Sequence, residues 1–391
     1  MTHTLRYSLV LGLLLPIILW AQAVPPRGMP TPKAPDLGAS SYVLMDFDSG
    51  EVLVEFEPDL RADIASMTKL MTSYVVFQEL SLGNVALEDV VTISENAWRT
   101  GGSRMFLEPR MEVTLEQLIL GLVVQSGNDA SVALAEFLAG TEEAFAEVMN
   151  YYAEQLGMSN SHFMNATGLP EPGHYSTAHD IAILSAAIIR DFPAYYGWYS
   201  GKEYTFNNIR QHNRNNLLWR DPAVDGLKTG HTESAGYCLA ASAKRDGMRL
   251  ISVVMGSVSE QSRAAESQSL LNYGFRFFET VQVYKAGEVL ARSTVWKGVQ
   301  EEVELGLEQD MFITIPRGRY TDLEPQVDLQ SELQAPLVAG VEVGRMRIEL
   351  DGELVTSRSL VTLSAVEPAG FFGRAWDGMR MWMDGLFADE E

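Results

Sequence analysis

In the run "ADIASMTKLMTSYVVF", residues 62–77, a serine and a lysine stand three positions apart at the head of an apolar stretch. Met67, Leu70, Met71, Tyr74 and Val75 fall at helical spacing and form a stripe that a core would cover. Lys69 lies one helical turn beyond Ser66, so its amine can reach the serine hydroxyl. Burying an ammonium there is costly unless it has a partner or a task. In a dry cleft near other cations a lysine's pKa falls, and the neutral amine can act as a base. That would make Ser66 a nucleophile without any histidine. The positive end of the helix dipole would favour an oxyanion beside it.

Two further stretches carry groups that such a nucleophile needs. "SGN" at 126–128 is a small-residue turn after an apolar helix, and it brings the Ser126 hydroxyl and the Asn128 amide to the edge of a cleft. "DGLKTGHT" at 225–232 places Lys228, Thr229 and Gly230 at a strand start. Lys228 and Thr229 offer positive charge and hydrogen bonds to a carboxylate. Gly230 keeps the edge free of bulk, so an extended substrate can pair with it as an added strand. Arg214, in "RQHNRNN", supplies the planar fork that best meets a free carboxylate.

The patterning around these residues supplies a scaffold. "SYVLMDFDSGEVLVEF" reads as a hairpin turning at Asp48-Ser49-Gly50, and the Ser66–Lys69 helix follows it. Thr114 and Gln117 form a capping box that opens the helix "LEQLILGLVV", which runs into "SGND". Further helices start behind Thr141 and Thr177. From 203 to 256 the texture turns to strands, and "AAESQSLLNYGFRFF" reads as a closing helix. Hairpin, helices, strands and a last helix imply an α+β domain over 38–280, with helices packed on an antiparallel sheet. Residues 281–367, with short β-rich runs broken by Gly, Pro and Asp, imply a small all-β domain.

Both ends of the chain differ from the middle. Residues 1–23 carry Arg6, the apolar run "LVLGLLLPIILW" and the small-x-small site "AQA", the pattern of a cleaved export signal. The proline-rich stretch 24–37 reads as a tether. In 368–391, Phe372, Trp376, Met379, Met383 and Leu386 line one side of a helix, with Arg374, Asp377, Arg380 and Asp384 opposite, as in a helix lying in a membrane surface. A net charge of −23 argues against nucleic acid, which needs clustered Lys and Arg. The single cysteine, Cys238, excludes an intramolecular disulfide and a four-cysteine zinc site, and reads as a buried, inert thiol. Neither a metal nor an organic cofactor is implied.

S-x-x-K, S-x-N and K-T-G in this order are the motif set of penicillin-binding proteins and serine β-lactamases. With "FMNATGLP", "RQHNRNNLLW" and the long run around "DGLKTGHT", the chain resembles the low-molecular-mass penicillin-binding proteins, bacterial serine-type D-alanyl-D-alanine carboxypeptidases. The resemblance implies a β-lactamase/transpeptidase-like catalytic domain, a small β domain, and a C-terminal anchor at the periplasmic face of the inner membrane. It implies that Ser66 attacks between the two terminal D-alanines of a peptidoglycan pentapeptide stem and Lys69 takes its proton. Ser126 would protonate the leaving amine and Asn128 would hold the substrate amide. Lys228, Thr229 and Arg214 would meet the terminal carboxylate, and backbone N–H groups of Ser66 and His231 would form an oxyanion hole. β-Lactam antibiotics would acylate the same serine. Alternatives on the same fold are a D,D-endopeptidase or a weak β-lactamase. A protein that senses penicillin or binds the wall without turnover is a further reading. Histidines 162, 174, 179 and 212 show neither metal-protease spacing nor an evident partner.

Overall fold

The computed structural model describes residues 31–329 and 333–388. The expected export signal, the tether up to residue 30 and the last three residues lie outside them. The expected α+β class is borne out. Strands β1 (Ser41–Asp46), β2 (Val52–Phe56), β3 (Val224–Thr232), β4 (Gly236–Arg245) and β5 (Met248–Ser257) form an antiparallel sheet in the order β2-β1-β5-β4-β3. The sheet is covered on both faces, which is why β1 is buried at every position. Val43 and Met45 face the larger helical layer, whereas Tyr42 and Leu44 face a second cluster containing Leu270, Leu271 and Phe275. Those three come from the closing helix, Glu260–Phe277, which starts earlier than the sequence suggests because Ser259 caps it through the Ser262 amide.

In the larger layer, α1 (Lys69–Ser81) is not half-exposed, as a stripe implies, but buried continuously from Lys69 to Phe77. It is surrounded by α2 (Asn128–Ala139), α3 (Glu142–Gln155) and α4 (Ala178–Asp191), the latter two capped by Thr141 and Thr177. The Thr114–Gln117 capping box is present, but the helix it opens is α-helical only over Leu115–Leu120. Gly121–Gln125 widens into a π turn, and Met105 packs so closely that a Cβ on Gly121 would stand 2.3 Å from its sulfur. Such turns are common at functional sites. This one delivers Ser126 at its end with φ +67°.

The second domain has its own core, including Val303, Leu305, Ile313, Ile348 and Leu360. Strand Phe278–Tyr284 pairs with Met311–Pro316, beside a six-stranded sheet. It is joined to the catalytic domain by polar contacts. Thr280 Oγ1 donates to the buried Asp46 carboxylate at 2.6 Å, and the Arg317 guanidinium donates to the carbonyls of Phe275 and Phe278 at 2.8 and 2.9 Å. Helix α5 (Phe371–Ala388) ends the described chain. Its polar side rests on this domain. Asp377 Oδ2 accepts the Lys297 amide at 2.8 Å, and the Arg380 guanidinium lies 5.9 Å from the centre of the Trp296 indole. Phe371, Phe372, Trp376 and Met379 are exposed. The side chains of Met383, Asp384 and Leu386 lie outside the described residues. No helix among the described residues is long and apolar enough to cross a membrane.

Candidate active site

Ser66 sits in a short 3-10 turn, Ala65–Thr68, and Lys69 is the first residue of α1 behind it. The turn is forced into shape from below. Ala65 has φ +47°, and Gly168 approaches so closely that a Cβ there would stand 1.8 Å from the Ala65 carbonyl oxygen. The half-buried Ser66 Oγ lies 3.1 Å from Lys69 Nζ. Lys69 is 1% exposed, and its amine also contacts Asn128 Oδ1 at 2.7 Å and the Thr167 carbonyl at 2.6 Å. Burial, then the nearby Arg214 charge, draws its pKa down to about 7, although Asp129 and Glu142 pull the other way.

Asn128 is fixed by the loop in front of it. Its Nδ2 donates to the Gly101 carbonyl at 2.7 Å, which turns Oδ1 toward Lys69. The next residue, the buried Asp129, accepts the amides of Met105 and Leu107 at 3.0 and 3.1 Å and so clamps the 101–107 loop. Ser126 Oγ is buried and has no hydrogen-bond partner among the described residues. Beside Lys69 and Asn128, whose polar tips are engaged, that hydroxyl is free to serve a bound molecule.

On the opposite wall, β3 pairs among the described residues with β4 alone, and its other side is a sheet edge to which an extended peptide can add. Lys228 is buried and donates to the Thr229 carbonyl at 3.1 Å; burial, then Lys69, Arg214 and Arg263, push its pKa well below the usual lysine value. Arg214 is exposed at the mouth and donates to Ser103 Oγ at 2.9 Å. Arg263 supports both, reaching the carbonyls of Gly230 and Arg214 at 3.3 and 3.4 Å. Gly230 is required for a different reason from the one its sequence context suggests. A Cβ there would stand 2.6 Å from the Ile64 carbonyl, so glycine lets β3 lie against the Ala65–Thr68 turn. His231 is exposed and packs its ring 4.0 Å from that of Tyr237. Cys238 is buried, with its thiol pushed up to about 11 by burial.

This geometry puts a serine, a deprotonable lysine, an unengaged hydroxyl and two cations around one open strand edge. Residues 29–259 match the family described as D-alanyl-D-alanine carboxypeptidase. The chain belongs to that family. Residues 278–368 match the C-terminal domain of penicillin-binding protein 5. The chain is 48% identical over 358 residues to D-alanyl-D-alanine carboxypeptidase DacA of Escherichia coli (strain K12), covering 90% of this chain and 89% of that one. It is 45% identical over 359 residues to D-alanyl-D-alanine carboxypeptidase DacC of the same strain, covering 90% of this chain and 90% of that one. Among solved structures, penicillin-binding protein 5 from Haemophilus influenzae superposes with a TM-score of 0.84 at 44% identity, covering 86% of this chain and 99% of the other. Penicillin-binding protein D2 from Listeria monocytogenes, solved in an ampicillin-bound form, gives 0.57 at 29% identity over 61% of this chain and 98% of the other.

Sequence reasoning missed the layer behind the catalytic groups. Ser103, Asp129 and His174 carry no motif of their own, and Asn165 and Thr167, although inside the run "FMNATGLP", show no role there by side-chain type. Asn165 Oδ1 accepts from the amides of Thr167 and Gly168 and from Thr167 Oγ1, at 3.2, 2.8 and 2.9 Å, curling "NATG" so that the Thr167 carbonyl faces Lys69. The available signal was this Asn-x-Thr-Gly turn.

Proposed function

We propose that this protein removes the terminal D-alanine from peptidoglycan pentapeptide stems through an acyl-enzyme on Ser66. One observation carries the reading. Of the three contacts of Lys69 Nζ, the Thr167 carbonyl and Asn128 Oδ1 can only accept. A neutral amine gives each of them one N–H and turns its lone pair toward the Ser66 hydroxyl.

Lys69 takes the Ser66 proton as Oγ bonds to the carbonyl carbon between the D-alanines. The oxyanion meets the Ser66 and His231 amides. Ser126 relays the proton held by Lys69 to the leaving nitrogen, giving its own and taking that one in exchange, so that Lys69 is neutral again as the C–N bond breaks and D-alanine departs. Water then attacks the ester and restores Ser66 with its proton. Asn128 holds the substrate amide. Arg214, Thr229 and the buried Lys228 meet the terminal carboxylate. β-Lactam antibiotics acylate Ser66 by the same attack on their strained amide, and slow attack by water leaves them attached.

The expected site of action is the periplasmic face of the inner membrane, reached by cleavage after Ala23. The amphipathic pattern of α5, with Phe371, Phe372 and Trp376 exposed, supports attachment to a lipid surface. Incubation with a pentapeptide ending in D-Ala-D-Ala, with assay of free D-alanine, tests the reaction. Release of D-alanine supports the carboxypeptidase. Penicillin labelling without release would favour a non-turnover sensor, and cleavage of cross-links alone would favour an endopeptidase.

A further inference from the structure

His174 is a buried titratable group that the reaction above does not use. It lies outside the motifs, on the segment that also carries Asn165 and Thr167. Met164 N–H donates to His174 Nδ1 at 3.1 Å, so in the neutral ring the proton is on Nε2. Nε2 lies 2.7 Å from Thr68 Oγ1 and donates to it. Thr68 lies between Ser66 and Lys69, in the nucleophile turn itself. The imidazole therefore bridges the back of that turn and the strand of chain leading to Thr167. Nearby contacts fasten the same segment to α1 and to α3. Thr72 Oγ1 donates to the Ala166 carbonyl at 2.7 Å, and Glu142 Oε1 accepts the Ala166 amide at 3.0 Å. Phe163 closes one side of the ring at 5.8 Å between centroids.

We propose that His174 is a positioning residue for Lys69. By holding residues 163–174 against Thr68, it keeps the Thr167 carbonyl within reach of Nζ and keeps water out from behind the amine. The proposal rests on Lys69 acting as the base. The charged groups that face the imidazole are Asp63 before the nucleophile turn, His162 on its own segment and Lys69 on α1, and burial dominates all three. The ring stays neutral throughout the working pH range, so its part is structural coupling and not proton transfer.

The test is the pH dependence of acylation by a fluorescent penicillin, measured for the full chain and its variants. The wild type should lose rate as pH falls through about 7, which reports Lys69; a flat profile would overturn the base assignment and with it this proposal. His174→Leu should acylate at least about tenfold more slowly at pH 7, with its acid limb moved to higher pH because water reaches Lys69 and reverses its desolvation. His174→Gln, whose amide offers one donor and one acceptor at similar separation, should restore most of the rate and the original limb. Thr68→Val removes the same link from the other side, leaves no cavity, and carries the test if His174→Leu does not fold. A wild-type limb near 7 with unchanged rate and limb in Thr68→Val or a folded His174→Leu would overturn the proposal while leaving the base assignment intact.

Discussion

Gly168 and Ala65 meet backbone against backbone: a Cβ on Gly168 would stand 1.8 Å from the Ala65 carbonyl oxygen and 2.7 Å from Thr68 Oγ1. Gly168 also has φ +79°, a conformation that other residues adopt only with strain. The Ala65–Thr68 turn is thus seated on a glycine sixth in "FMNATGLP", about a hundred residues away in sequence. Gly168→Ala should cost about 3 kcal/mol or more, because backbone and not a flexible tip must move. Thermal unfolding should show a lowered Tm, and acylation by labelled penicillin should fall at least about a hundredfold. A variant with unchanged Tm and labelling rate would mean that this contact does not shape the turn.

The chemistry at Ser66 predicts its own pH profile. In the proposed reaction Lys69 must be neutral to take the proton, and burial draws its pKa down to about 7. Below that value the rate should drop about tenfold per pH unit. Lys69→Arg, permanently protonated, should lose at least about a thousandfold in acylation while remaining folded. Ser66→Ala should lose both hydrolysis and covalent labelling entirely. Stopped-flow acylation across pH 5–9 and intact-mass analysis check these outcomes. Labelling that survives in Ser66→Ala would place the nucleophile elsewhere.

Arg214 should act on two quantities at once. It is the exposed cation at the mouth, and it is also the second cause of the low Lys69 pKa after burial. Arg214→Ala should raise KM for a peptide with a free C-terminal carboxylate by about 10- to 100-fold, in line with a charge-assisted hydrogen bond worth about 1.5–3 kcal/mol. KM for the same peptide with its C-terminus amidated should barely change. The acid limb should also move to higher pH, since one nearby positive charge is gone. Steady-state kinetics on the peptide pair separates the effects. Equal losses on both peptides would remove Arg214 from carboxylate recognition.

How much of this was legible in the sequence depends on range. The Thr114–Gln117 box, the Thr141 and Thr177 caps and the β1–β2 hairpin are local devices, and each forms where its spacing implies. Ser66 and Lys69 were legible because their relation is one helical turn. The π turn before Ser126 was not, because the sequence reads as uninterrupted helix and the widening depends on Met105 packing against Gly121. Nor was the true reason for Gly230, which needs the distance from β3 to Ile64. Thr167 acts through a carbonyl, which any residue possesses, so no side-chain motif could mark it. His174 was visible as a residue, but its meaning lies in Thr68, 106 positions away.

Acid stability should carry the signature of that pair. Burial draws the His174 pKa from the usual 6.5 down to about 4. Between these values the unfolded chain binds the proton and the folded protein does not. The stability that a neutral ring contributes is therefore present above pH 6.5 and lost as pH falls toward 4, levelling off below. The span corresponds to about 3 kcal/mol. In His174→Gln this component should vanish, so the difference in urea-unfolding free energy between wild type and variant should change with pH across that window. A constant difference from pH 7 to 4 would mean that the imidazole is accessible and ordinary.

At the other end of the chain, α5 gives a prediction that separates hydrophobic from electrostatic attachment. Its polar side is engaged by the protein itself, through Asp377 to the Lys297 amide and Arg380 over Trp296, while Phe371, Phe372, Trp376 and Met379 stay exposed. Each large apolar side chain moved into lipid is worth about 1.5–3 kcal/mol. The helix offers two arginines against two aspartates, and the chain ends in "ADEE", so anionic lipid gains little from it. Binding to vesicles should therefore be nearly as strong on neutral as on anionic lipid and should survive high salt, unlike that of a basic anchor. Deleting residues 370–391 should leave the protein in the soluble fraction with its acylation rate intact. Trp376→Asp with Phe372→Asp should do the same without shortening the chain. Vesicle flotation reads all of these outcomes, and retention of the deletion variant on lipid would locate the membrane contact outside this helix.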